Sequence, residues 1–201
     1  KVLATSITDL NYMQSVFPQS TKAWANTVRR INPWHNYLKI LLDLQGSSSV
    51  AVSVSGGNWG LACNAIHFID FVEWIFSTKL LSVSSTSRPH WHKSKRKGYY
   101  DFHGDLCCKF QNNISLHLVS SPKSNEDLLI NISHNGNIFL INETRGCATM
   151  PSGHLIKAQL QYQSQLTPLI LHSLYETDDC NLPHICQSLQ QHYFLIRHLN
   201  Y

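Results

Sequence analysis

The stretch from Ser55 to Asp70 joins a double glycine, Gly56-Gly57, to a run that is apolar on nearly every face yet carries Cys63, Asn64, His67 and Asp70. Four-residue spacing sets Cys63 and His67 on one face of a helix, with Gly60 and Asn64 beside them. An imidazole exchanges a proton near neutral pH, so His67 suits general acid or base work. It is also the kind of residue that sits hydrogen-bonded inside a core. The glycine pair would let backbone come close to a ligand where the helix begins. Arg29 and Arg30 are a second candidate pair, able to fork onto a phosphate or carboxylate. The plainer reading is one solvated arginine and one packed along a helix.

These side chains need a scaffold, and the periodicity describes one. Ser6-Ile7-Thr8-Asp9 reads as a helix cap before Leu10, Met13, Val16 and Phe17. Lys22 to Thr27 alternates like a short strand, and Asn32-Pro33 places a cap and first-turn proline before Trp34, Tyr37, Leu38, Leu41 and Leu42. Val50, Val52 and Val54 alternate with small residues and end in the glycine pair, predicting a strand, a tight turn and a buried helix over Asn58 to Phe76. Short β-rich runs follow over Leu81 to Thr86, Asp105 to Phe110, Ile114 to Val119, Leu128 to Ser133 and Ile138 to Ile141, with Asn135-Gly136 as a hairpin turn. Helices over Gln165 to Glu176, with Pro168 in the first turn, and over His184 to Leu199 close the chain. The expected class is α+β: a large antiparallel-rich sheet with helices packed on one face.

The composition narrows the function. With 201 residues, 43% of them hydrophobic, the chain can bury a substantial core. Only 14% are charged, which hints at surface covered by a partner. The net charge of +4 is scattered except at Lys93, Lys95, Arg96 and Lys97, too local for a nucleic-acid face. No apolar stretch approaches a membrane span. Six cysteines are too sparse for a disulfide scaffold, so a cytoplasmic setting is expected. No Gly-x-Gly-x-x-Gly or Gly-x-x-x-x-Gly-Lys-Ser/Thr loop is present, so a dinucleotide would have to be held elsewhere. His90, His92, His103, Cys107 and Cys108 invite a zinc reading, but adjacent cysteines on a strand point to opposite faces, and no metal site is expected.

The order of these features resembles the glucose-fructose oxidoreductase, inositol dehydrogenase and related (Gfo/Idh/MocA) family. That family carries a Gly-Gly pair, then an Asp four residues before a His and another Asp three residues after it. Gly56, Gly57, His67 and Asp70 match, while Cys63 stands where the first Asp would be. Lys1 looks like the lysine of the family's Glu-Lys-Pro loop, with Val2 replacing the proline. Asn26 with Arg29-Arg30 and Pro33 resembles its Asn-x-x-Arg-Arg segment. Tyr162 to Thr167, and Leu182-Pro183 before Ser188 and His192, resemble its closing helices.

The resemblance implies an NAD- or NADP-dependent oxidoreductase acting on a sugar or sugar derivative, with a nucleotide sugar for a surface polysaccharide as one option. It implies Lys1 and His67 as catalytic residues, Lys1 also beside the cofactor, and Asn58, Trp59, Cys63, Asn64, Arg29 and Arg30 as substrate contacts. Tyr99, Tyr100, His90 and His92 would lie on a loop over the sugar. Residues 1–30 would lead out of a cofactor-binding Rossmann domain absent from this chain, and residues 31–201 would form the substrate and oligomerisation domain, pairing with a second copy through the sheet. The alternative is a non-catalytic sugar-binding or oligomerisation module derived from the same family.

Overall fold

A computed structural model describes residues 3–19, 21–43, 49–94, 96–123 and 125–199. Lys1, expected at the catalytic centre, lies outside them.

Among the described residues, five α-helices and nine strands make a mixed α+β fold. Helix α1 (Ile7–Val16) starts where its cap predicts, with Ser6 Oγ accepting from the Asp9 N–H at 3.1 Å. A 3-10 turn, Val28–Ile31, leads into α2 (Pro33–Asp43), whose cap Asn32 accepts from the Trp34 N–H. Strand β1 (Val50–Gly57) then delivers the chain to α3 (Leu61–Ile75). Seven strands follow: β2 (Leu80–Ser84), β3 (His90–Lys93), β4 (Tyr100–Phe110), β5 (Ile114–Ser121), β6 (Leu129–His134), β7 (Asn137–Asn142) and β8 (Cys147–Thr149). The short β9 (Leu155–Lys157) and helices α4 (Gln163–Thr177) and α5 (Ile185–Leu199) complete the chain.

The strands form one sheet in the order β2-β4-β5-β1-β6-β7-β8-β9, with β3 paired to the first part of β4. Every pairing is antiparallel except β1 with β5, where Val52 faces Leu116. Along β1, Val50, Val52 and Val54 are buried while Ala51, Ser53 and Ser55 are exposed. This alternation, repeated in β5 and β6, leaves one face under the helices and the other open. Helix α3 lies on β4 and β5 and is covered by the 3-10 turn and α5, so Leu61, Ala65, Ile66, Phe68, Ile69, Phe71, Val72 and Ile75 are all buried. Burying each large apolar side chain stabilises the fold by roughly 1.5–3 kcal/mol. A smaller apolar cluster joins Leu10 of α1 to Ile185, Leu189 and Ile196 of α5. Among the described residues no helix is long and apolar enough to cross a membrane.

Four expectations shift. Lys22 to Thr27 makes an isolated bridge, Trp24 to His184, since among the described residues no strand lies alongside it. The long buried helix begins at Leu61 rather than Asn58, since Asn58 and Gly60 take left-handed φ of 46° and 80°. Helix α4 begins at Gln163, which puts Pro168 beyond the first turn. Strands β3, β8 and β9 are too short to show periodicity.

The glycine pair packs against its own chain. A Cβ at Gly56 would lie 3.2 Å from the Asp127 carbonyl oxygen, and one at Gly57 only 1.6 Å from that of Lys123. The expectation that these glycines open the backbone to a ligand is therefore corrected: the space they free is filled by Lys123, Glu126, Asp127 and Leu128. Gly57→Ala should lower stability by about 3 kcal/mol. Gly98→Ala, with no atom within 4 Å but a φ of 84°, should cost only about 1 kcal/mol. Urea denaturation midpoints would show the difference, and equal midpoints would mean that Lys123 and Glu126 move aside.

Candidate active site

Between the end of β1 and the first turn of α3 the chain makes a sharp turn. The Asn58 N–H donates to the Ser121 carbonyl at 2.8 Å, and the Trp59 indole N–H donates to that of Val119 at 2.8 Å. Trp59 meets Phe68 edge-on at 5.4 Å. The Asn64 side-chain amide turns back to donate to the Trp59 carbonyl at 2.7 Å. The N-cap position is Gly60, which has no side chain to satisfy the helix donors. Asp101 of β4 takes over that task, its Oδ1 accepting from the Ala62 N–H at 2.8 Å. A carboxylate there also meets the positive end of the helix dipole. The sequence reading missed Asp101, since a cap supplied from another strand leaves no local signal.

Cys63 is half-buried one turn into α3. Burial, reinforced by the Asp101 charge, pushes its thiol pKa up, so the group stays neutral. It lines a cavity of about 480 Å³ with Ala4, Trp91, Tyr99, Tyr100 and Leu195 among others. His67, one turn further along, is half-buried rather than sealed in the core. Neither His67 nor Asn58, Trp59, Asn64, Arg29 or Arg30 is among the described residues lining the cavity. Tyr99 and Tyr100 do reach it, whereas His90 lines a separate cavity on the open face of the sheet.

The two arginines lie beneath the helix. Arg30 forms a buried ion pair with Asp70, which is fully inaccessible and also accepts from Thr27 Oγ1 at 2.6 Å and Gln191 Nε2 at 3.3 Å. Arg29 pairs with Glu143, with Nη2 to Oε2 at 3.0 Å, and its guanidinium lies 4.1 Å over the ring of Phe68. Both guanidiniums are thus engaged by carboxylates of the chain, so the expected fork onto a substrate anion meets groups that already have partners. Glu73, a turn after Asp70, accepts from the Leu80 N–H at 2.7 Å and from Gln187 and Gln191 at 2.9 and 2.7 Å.

Two histidines complete this underside. His35 is fully buried against Phe71, with Nδ1 donating to the Arg29 carbonyl at 3.0 Å. Burial, aided by the nearby Arg29 charge, lowers its pKa to about 3. His192 donates from Nδ1 to the Ser188 carbonyl at 2.7 Å and accepts at Nε2 from the Leu3 N–H at 3.0 Å, and burial lowers its pKa to about 4.

Among the described residues, the Gly56-Gly57 turn that leads from strand to helix is filled by Lys123, Glu126, Asp127 and Leu128, so that turn offers no cradle for a pyrophosphate.

The sequence matches no protein-family model, and no curated protein matches it significantly. Solved structures are another matter. An oxidoreductase from Thermotoga maritima superposes with a TM-score of 0.71 at 12% identity, over 99% of this chain and 67% of its own. The myo-inositol dehydrogenase from Lactobacillus casei, solved in complex with NAD(H) and myo-inositol, gives 0.66 at 13% identity, over 97% of this chain and 64% of its own. The chain shares the fold of these oxidoreductases. UDP-N-acetylglucosamine 3-dehydrogenase from Acidithiobacillus ferrooxidans aligns likewise, at 0.67 and 9% identity over 98% of this chain and 67% of its own. The chain thus spans about two thirds of the length of each.

His35 and His192 make stability depend on pH. The unfolded chain protonates both near the ordinary value of 6.5, while the fold resists until about 3 and about 4. Below pH 6.5 the unfolded state holds more protons, so their contribution is fully present above that pH and is lost as pH falls towards 3. The slope reaches about 1.4 kcal/mol per pH unit for each histidine. Urea midpoints measured from pH 7.5 to pH 4 should hold nearly level above about pH 6.5 and decline below it; a flat profile down to pH 4 would show that the imidazoles are not held neutral.

Proposed function

We propose that this chain is the substrate-facing part of a nicotinamide-dependent oxidoreductase acting on a sugar or sugar derivative. The observation that carries the reading is the cavity in front of the first turn of α3, walled by Cys63, Trp91, Tyr99 and Tyr100, within a fold shared with sugar and inositol dehydrogenases. Its 480 Å³ is in the range of small-molecule sites. Aromatic rings stack on the C–H faces of a sugar, while phenol tips and the thiol hydrogen-bond its hydroxyls.

Oxidising a secondary alcohol removes a hydride from carbon and a proton from oxygen. A nicotinamide cofactor, NAD or NADP, would accept the hydride when bound. His67 is the group for the proton, being a half-buried imidazole one turn from the thiol that lines the cavity. Lys1, outside the described residues, is the proposed partner that would steady negative charge on the reacting oxygen. Asn58, Trp59 and Asn64 set the turn that aims the first residues of α3, and Arg29 and Arg30 fix the helix from below. In this reading the open sheet face meets a second copy of the chain.

A second reading has one observation in its favour. Cys63 is a neutral thiol where the resembling family has a carboxylate, and a neutral group does not stabilise an imidazolium on the neighbouring turn. A chain with that change could bind a sugar without oxidising it.

Nicotinamide absorbance over a panel of sugars, inositols and nucleotide sugars, with the cofactor-binding domain present, separates the readings. His67→Ala should lower kcat by about 100-fold or more while leaving cofactor KM nearly unchanged; an unaltered kcat removes His67 from proton transfer. Cys63→Asp should keep or raise activity. Sugar binding by calorimetry without turnover in either form supports the binding module.

A further inference from the structure

On the open face of the sheet a second group of reactive side chains comes together, apart from the cavity at α3. Strands β4 and β5 are antiparallel, and their register sets Cys107 directly opposite His117. Asp105, two residues before Cys107 on the same strand, projects from the same face. Leu106 and Cys108 point the other way into the core, at 0% and 1% exposure. The Asp105 Oδ2 atom is 3.7 Å from Cys107 Sγ and 3.6 Å from His117 Nε2, and the three donor atoms lie within 4.8 Å of one another.

We propose that Asp105, Cys107 and His117 bind a zinc ion, with a fourth position open to the adjoining cavity. Tetrahedral zinc with bonds of roughly 2.0–2.3 Å places its donors about 3.3–3.6 Å apart, so the two spacings from Asp105, 3.7 and 3.6 Å, need to close by only a few tenths of an ångström, and Cys107 Sγ and His117 Nε2, within 4.8 Å of each other, need to draw together by a side-chain adjustment. One thiolate, one imidazole and one carboxylate suit a borderline-soft cation and disfavour magnesium or calcium, which take all-oxygen shells. Outer hydrogen bonds already hold the carboxylate. Asp105 accepts from the Thr86 N–H at 2.9 Å, from Thr86 Oγ1 at 2.9 Å and from Ser87 Oγ at 3.2 Å. Such second contacts orient ligands in metal centres. Zinc binding would displace the Cys107 proton to solvent as the sulfur–metal bond forms.

The open position is the part with functional reach. A cavity of about 600 Å³ borders the cluster, lined by His117 and Asp105 and, further out, by Arg88, His90 and His103. A water or an oxygen ligand entering it completes four-coordination. The competing explanation is that Asp105 merely anchors the β2–β3 connection through Thr86 and Ser87, with Cys107 and His117 as bystanders. That explanation predicts no specific affinity for zinc.

Protein stripped with a chelator and dialysed is titrated with Zn²⁺ and, separately, with Co²⁺. The expected result is one equivalent of zinc at micromolar affinity or better. The Co²⁺ adduct should show a near-ultraviolet thiolate-to-metal band and the strong visible bands of a four-coordinate ion. Cys107→Ser should abolish the near-ultraviolet band, and Cys107→Ser and His117→Gln should each weaken zinc at least about tenfold; Thr86→Ala should weaken it about tenfold as well. Cys147→Ser, a thiol on β8, should leave binding unchanged. Circular dichroism checks that each variant is folded, and His117→Gln, at a side chain about half exposed, is read alone if Cys107→Ser is not. Absence of zinc binding, or equal affinity in the folded His117→Gln variant, overturns the proposal.

Discussion

Two charges without water hold α3 in place. Arg30 and Asp70 meet where neither has more than 9% side-chain exposure, so both have lost their hydration and each depends on the other. An isolated buried ion of either sign would be severely destabilising, and the pair tolerates burial because Thr27 and Gln191 complete the carboxylate's hydrogen bonds. Glu73 repeats the device one turn later with Gln187, Gln191 and the start of β2. A helix that is greasy all round has little to choose its rotation by. Two buried carboxylates on one side choose it, since turning the helix would leave both unpaired. The rotation that satisfies them also determines where Cys63 and His67 face.

The other end of the helix is set by a different strand. Asp101 caps α3 from β4, and the same Oδ1 accepts from its own strand's Phe102 N–H at 2.8 Å. Tyr99 and Tyr100, just before it, wall the cavity. Thus the aromatic wall and the thiol it faces are tied through one carboxylate, and the geometry of the cavity does not rest on loops alone.

Much of this was legible beforehand, for identifiable reasons. Alternating valines, the Asn-Gly turn and the caps at Ser6 and Asn32 are local signals, and each element they predict is present. The antiparallel-rich sheet with helices on one face follows from the spacing of the β-rich runs. What escaped was whatever depends on distant partners. An Arg-Arg pair reads as an anion fork until the fold supplies Glu143 and Asp70. A Gly-Gly pair reads as room for a ligand until Lys123, Glu126, Asp127 and Leu128 fill it. The Asp105, Cys107 and His117 grouping needed the β4–β5 register, and the sequence alone drew attention to Cys107 through its neighbour Cys108, which faces the opposite way.

The place of β1 in the sheet bears on how the molecule assembles. Its two neighbours, β5 and β6, both come later in the chain, with α3 and three strands intervening before the first of them. During synthesis, β1 and the apolar helix after it would leave the ribosome before any strand that shelters them has been made. The local β4–β5 and β6–β7 hairpins are free to form early, and β1 inserts between them afterwards. Until that insertion the valines of β1 and the greasy surface of α3 are bare to other chains, which makes this segment the one most in need of a holding chaperone.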